Sequence, residues 1–195
     1  MNVIVETLRE ARSAVDALLA NEAALAAIAE GGRVLTECLA KGGRVYSCGN
    51  GGSMCDAMHF AEELSGRYRL DRRPLPATSI SDPGHMTCVA NDFGYEAVFS
   101  RYVEAHARPG DCLLAISTSG KSPNVLAAAR AATAQGAKVV ALTGRPGSPL
   151  SGLADVEICT PAGRFADRIQ ELHIKVVHIL VELVERELVP ENYRD

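Results

Sequence analysis

The sequence predicts an α/β fold: a three-layer α/β/α sandwich around a five-stranded parallel sheet, preceded by two helices. Three observations carry this. Strand-like runs at Arg44–Cys48, Asp111–Ile116, Lys138–Thr143 and Val156–Cys159 are separated by helical stretches or loops, with Pro76–Ile80 a weaker fifth. Such alternation implies a parallel sheet with helices on both faces. The first three runs each end in a loop rich in Gly, Ser or Thr, where open α/β sheets bind their ligands.

The elements follow in order. Residues 2–41 read as a helical pair, with Ile4, Leu8, Ala11, Val15 and Leu18 at helical spacing. Asn21-Glu22 marks the break between the two helices, and Gly42-Gly43 stops the second. Residues 42–195 then hold the α/β core and a last helix over about Phe165–Leu188, apolar around much of its circumference and so expected to be buried. The 195 residues suit one domain, 1–195, able to bury about 70% of its unfolded surface.

Bulk composition excludes several classes. With 47% hydrophobic and 23% charged residues, a packed core is expected rather than disorder. A net charge of −4 offers no general attraction for nucleic acid or an anionic membrane. The start, MNVIVETLRE, has neither the cationic nor the apolar region of a signal peptide. The apolar stretch Ile174–Val189 is interrupted by Lys175, His178, Glu182, Glu185, Arg186 and Glu187, which makes a bilayer span costly. The six cysteines show no C-x-x-C spacing and read as reduced packing residues in a cytoplasmic protein.

Two loops could carry chemistry. Gly49-Asn50-Gly51-Gly52-Ser53 follows the first strand and opens a helix, so its backbone can approach a ligand closely and offer free N–H groups to an anion. A dinucleotide fingerprint needs Gly or Ala where Met54 stands. A tight turn without a ligand is the plainer reading. The second loop, Ser117-Thr118-Ser119-Gly120-Lys121-Ser122-Pro123-Asn124, sets four hydroxyls and a glycine before a helix, with Ser122 as N-cap and Pro123 as first helical residue. Hydroxyls and free N–H groups make a phosphate cradle, although capping alone would also use them. A nucleotide P-loop would need glycine at Ala115.

Acid–base candidates sit on the helices. His59 and Glu63, four apart, share one helix face downstream of the glycine loop; they suit proton abstraction, carbonyl polarisation or metal binding, or form an ordinary surface pair. Gln170 and His178 lie about 80° apart around the last helix and need partners among apolar neighbours. His173 reads as a satisfied core residue, and Glu171–Lys175 as an exposed ion pair. Asn91-Asp92-Phe93-Gly94-Tyr95 reads as a polar turn, contacting sugar hydroxyls or capping a helix, and the basic stretch Arg67–Arg73 as a solvated loop complementing a helix dipole.

Four segments together resemble the phosphoheptose isomerase family, whose fold is the sugar isomerase (SIS) domain: Cys48-Gly-Asn-Gly-Gly-Ser53, Ala57-Met-His-Phe-Ala-Glu-Glu-Leu64, Ile116-Ser-Thr-Ser-Gly120, and Ala166-Asp-Arg-Ile-Gln-Glu-Leu-His173 through His178. The resemblance implies conversion of sedoheptulose 7-phosphate to glycero-manno-heptose 7-phosphate, the first step toward the heptose of bacterial surface glycans. It assigns Asn50, Gly51, Gly52, Ser53, Asn91 and Asp92 to the sugar, and Ser117, Thr118, Ser119 and Ser122 to the phosphate. Glu63 would be the base and His178 the acid. His59, Glu63, Gln170 and His178 match the family's zinc set, one ion per subunit, in a homotetramer with active sites between subunits. A rival expectation is a non-catalytic binding protein on the same fold, either associated with a replication initiator or sensing a sugar phosphate. The paired acid and base argue against it.

Overall fold

A computed structural model describes residues 2–194. Two helices open it, α1 (Asn2–Leu19) and α2 (Glu22–Ala40), and Asn21 caps α2 by accepting the N–H of Ala24 at 3.1 Å. The core then runs β1 (Val45–Cys48), α3 (Gly52–Ser65), β2 (Ala77–Ser79), α4 (Pro83–Phe93), α5 (Ser100–His106), β3 (Cys112–Ser117), α6 (Pro123–Ala134), β4 (Lys138–Thr143), β5 (Val156–Cys159) and α7 (Ala166–Leu188). All five strands pair in parallel in the order β2-β1-β3-β4-β5.

The two faces of the sheet follow from period-two alternation. On β3, Cys112, Leu114 and Ile116 enter a core with α2, α3 and α7, while Leu113 and Ala115 enter a second core with α4, α5 and α6. β1, β3 and β4 are covered on both faces and are apolar almost throughout, as parallel strands between helix layers must be. Strand order reverses between β1 and β3, so the crevice at their carboxyl ends is the place for a ligand.

Several local readings change. Residues 83–93 and 100–106 are helices, so Asn91 and Asp92 belong to the last turn of α4 rather than to a polar turn, and only Gly94 and the short 3-10 turn Tyr95–Ala97 after them break the helix. Their apolar signal was thin: α4 buries Val89 and α5 buries Val103. Ser122 sits at the N-cap of α6 with Pro123 following, but its side chain makes no capping bond; the hydroxyl turns instead to Ser117 Oγ at 3.1 Å. Glu171 pairs with Arg168 at 2.5 Å instead of Lys175. The basic stretch is not merely solvated, because the Arg72 side chain is fully buried against Glu185. Cys38, Cys48 and Cys112 pack in the core as expected, whereas Cys55 and Cys88 are exposed; all six thiols are free. Among the described residues no helix is long and apolar enough to cross a membrane.

Candidate active site

The glycine loop after β1 and the hydroxyl loop after β3 flank the switch point, and a reciprocal amide pair ties them together. Asn50 Nδ2 donates to Asn124 Oδ1, and Asn124 Nδ2 donates to Asn50 Oδ1, both at 2.8 Å. Asn124 Oδ1 also accepts the N–H of Val125 at 3.0 Å, and Asn50 Oδ1 accepts the Tyr95 hydroxyl at 3.2 Å. Asn124 and Tyr95 stand in segments singled out from the sequence, but neither was given a role of its own. Asn124 reads there as an ordinary first-turn residue, and nothing local reveals a partner 74 positions away.

Glycines let both loops fold tightly. Gly51 has φ +57°, and a Cβ at Gly52 would stand 2.6 Å from Gln170 Nε2, so the Gln170 amide lies directly over this loop. Gly120 has φ +62° and backs onto Ser148, again without room for a side chain. Ser53 and Ser117 are buried, Thr118 and Ser122 are half-buried, and Ser119 is exposed. Ser119 Oγ accepts the Lys121 N–H at 3.2 Å, while the Thr118 carbonyl accepts from Gly144 at 3.1 Å. The hydroxyls therefore gather over the N-terminus of α6, where Pro123 has no N–H, Val125 donates to Asn124 Oδ1, and the Asn124 N–H is left for a ligand. This arrangement can hold a dianion. Asn91 and Asp92 hydrogen-bond each other at 2.7 Å and are exposed on the rim of α4.

The acid–base candidates converge where α3 packs on α7. Glu63 Oε1 lies 3.0 Å from His59 Nε2 and 3.5 Å from His178 Nε2, and the two imidazole nitrogens are 3.3 Å apart. These three atoms form a triangle open to one side, with both imidazoles about 40% exposed and Glu63 only 12%. Four ligands around zinc at bonds of about 2.0–2.1 Å stand about 3.3 Å from one another, so the spacing fits a tetrahedral ion. Glu63 Oε2 is buried with no hydrogen-bond partner, a cost the fold bears unless something else binds there. The donor set of two imidazoles and a carboxylate thus fits a divalent metal, whereas the Gln170 amide of the same chain lies over Gly52, about two turns of α7 away from His178.

Neighbouring groups are tuned by burial. The Asp56 carboxyl, one turn before His59, is pushed up to about 6 because it is buried, with His59 opposing the shift. His173 is fully buried on α7 with Nε2 3.2 Å from the Thr143 carbonyl, and burial drives its imidazole down to about 4 while that bond opposes the shift. It is a neutral core residue joining α7 to β4, apart from the triangle.

Comparison with known proteins extends these observations. Residues 8–144 match the SIS domain family. The chain is 57% identical over 186 residues to the phosphoheptose isomerase of Aeromonas hydrophila, covering 95% of this chain and 97% of that protein. Among solved structures, a phosphoheptose isomerase from Francisella tularensis has TM-score 0.89 at 34% identity, covering 95% of this chain and 97% of that one. The phosphoheptose isomerase of Neisseria gonorrhoeae has TM-score 0.80 at 35% identity, covering 94% and 95%. The SIS match ends before α7, so Gln170 and His178 enter the similarity only through these whole-chain relatives.

The state of His173 has a measurable consequence. Its unfolded value is near 6.5 and its folded value about 4, so in that interval the unfolded chain binds a proton that the folded chain refuses. Stability from this group is present above 6.5 and is lost as pH falls toward 4. The urea midpoint of the parent should therefore drop more steeply between pH 7 and pH 4.5 than that of His173→Leu. Equal slopes would contradict a buried neutral imidazole.

Proposed function

The chain belongs to the SIS domain family and, within it, to the phosphoheptose isomerases, and from that membership we infer that it is an aldose–ketose isomerase acting on sedoheptulose 7-phosphate. The observation that carries the reading is the convergence of Glu63 with His59 and His178, a carboxylate held between imidazoles with one oxygen unpartnered. A binding protein on the same fold has no use for such a buried, half-satisfied base, which disfavours that alternative.

The chemistry follows from the groups present. The phosphate would sit on the hydroxyls of Ser117, Thr118, Ser119 and Ser122 and the N-terminus of α6, and the sugar against Asn50, Gly51, Gly52, Ser53, Asn91, Asp92 and Gln170. Glu63 takes a proton from C1 of the ketose and returns it to C2, through an enediolate. His178 moves the accompanying proton from the C1 hydroxyl to the C2 oxygen, so the sequence is balanced without an external acid or oxidant. Such acid–base work contributes about 10²–10⁴ in rate. A zinc ion, one per subunit, would be held by His59, Glu63 and His178, with Gln170, which lies over the Gly52 loop of its own chain, reaching it from a neighbouring subunit; when bound it supplies polarisation of the carbonyl. Glu63 Oε2 is buried, so Oε1, on the side of the imidazoles, is the oxygen that both roles draw on, and a bound metal competes with proton abstraction there.

Assembly bears on the same site. His59 lies about 10 Å along α3 from Gly52, and Glu63 about 16 Å, at 1.5 Å per residue. The glycine loop and the triangle of one chain are thus well separated, and a second chain can bring its own glycine loop closer. Helix α1 has no buried residue, and Val3, Ile4 and Leu8 are 60% exposed or more. Exposed apolar residues at the start of α1 suit the homotetramer with shared active sites. One SIS domain over residues 1–195 and a cytoplasmic location complete the proposal.

Two outcomes test it. Glu63→Gln should keep the fold and the four-chain mass by light scattering, yet lose at least about two orders of magnitude in turnover of sedoheptulose 7-phosphate. Near-parent turnover would place the base elsewhere. Purified protein should carry about one zinc per chain by elemental analysis, and chelation should slow turnover until zinc is restored. A verified metal-free enzyme running at full rate would leave the three residues as an acid–base cluster alone.

A further inference from the structure

The segment between α3 and β2 is bound to the catalytic helices at three points. The Tyr68 ring stacks on the His178 imidazole, with centroids 5.9 Å apart and planes 27° from parallel. Arg69 pairs with Glu182 at 2.9 Å. Arg72 Nε donates to Glu185 Oε1 at 2.7 Å, both side chains fully buried. Residues 178, 182 and 185 fall within about 60° on one stripe of α7, so the three contacts follow a single line down that helix.

Arg72 acts on α3 as well. Its Nη2 donates to the Glu63 carbonyl at 2.5 Å, and its Nη1 to the carbonyls of Leu64 and Gly66 at 2.9 and 3.0 Å. The last carbonyls of a helix lack intrahelical donors, and here one guanidinium supplies them. The second oxygen of Glu185 is filled by the Tyr193 hydroxyl at 2.7 Å, so the buried pair is satisfied on both sides. A buried ion pair is a poor source of stability compared with apolar packing, and its best use is to fix one register against others. The register fixed here is that of Glu63 relative to His178.

We propose that Gly66–Arg73 is a positioning strap for the acid–base pair, with Tyr68 orienting the His178 imidazole and the Arg72–Glu185 pair locking the end of α3 that carries Glu63 onto α7. This rests on the reading of Glu63 and His178 as base and acid. Nothing in the strap touches the reacting carbons in this role; it acts through residues that do. A displacement of such groups by about 1 Å is enough to cost up to a hundredfold in rate.

The test compares Tyr68→Leu, Tyr68→Phe and the double variant Arg72→Met/Glu185→Leu, which removes both buried charges together. Steady-state rates on sedoheptulose 7-phosphate are read beside carbon–proton spectra of the histidine rings. Tyr68→Leu should lower kcat about tenfold with KM changed less than about threefold, and should move the His178 ring signals by removing the stacked aromatic face. Tyr68→Phe should restore both, because a stacked ring needs no hydroxyl. The double variant, folded by circular dichroism, should also lose kcat rather than affinity; if it does not fold, the Tyr68 pair decides alone. A folded Tyr68→Leu enzyme at parent kcat, a loss confined to KM, or a phenylalanine variant as slow as leucine would each overturn the strap. Glu63→Gln run in parallel separates the two readings. If it retains turnover, the base assignment fails; if it is inactive while Tyr68→Leu is normal, only the strap fails.

Discussion

The structure depends on one packing contact, that of α3 on α7 over the same face of the sheet. Phe60 and Leu64 on α3 and Val176, Val177, Leu180 and Val181 on α7 are buried in a shared core. Their burial leaves little freedom in how the helices slide past each other, since close-packed interiors deform poorly. His59, Glu63 and His178 stand at the edge of this contact, where the apolar seam meets solvent. Three polar groups in such a place are held at fixed separations by side chains that have no part in the chemistry.

The second constraint is topological. Reversal of strand order between β1 and β3 opens a crevice that no strand fills, and the two loops bordering it are stitched by Asn50 and Asn124. The loop after β1 then continues directly into α3, so the glycine loop and the acid–base triangle lie at two points along one rigid element. Their separation is set by helix rise rather than by loop conformation. That makes the distance a fixed property of the chain, and in the proposed homotetramer one chain's glycine loop would be presented to another's triangle.

Much of this was legible in the sequence, and the misses share a cause. Lys138–Thr143 and Val156–Cys159 are strands at the expected bounds because both are short apolar runs between turn signals. Gln170 and His178 stood out as polar groups on an apolar helix; His178 lies beside His59 and Glu63, and Gln170 over the glycine loop. The helices α4 and α5 were given no bounds from the sequence because each buries one large residue and leaves no periodic stripe. Glu185 and Arg72 each look like ordinary surface charges, and only the fold reveals that 113 positions apart they neutralise each other. Asn124 and Tyr68 were hidden in the same way, since their partners lie 74 and 110 residues away in the chain. Local pattern reports the faces of elements, whereas partners across the sheet emerge only once the elements pack.

The central claim is that Glu63 moves one proton between adjacent carbons of a sugar phosphate. Isomerisation in deuterated water tests it most directly, with products followed by NMR. The account predicts aldose formation from sedoheptulose 7-phosphate with solvent deuterium appearing at C2, because a proton held on a carboxylate exchanges with water at the half-exposed mouth of the triangle. It predicts no such label with Glu63→Gln. Absence of aldose, or aldose formed with label at C2 by the Glu63→Gln variant at the parent rate, would contradict it.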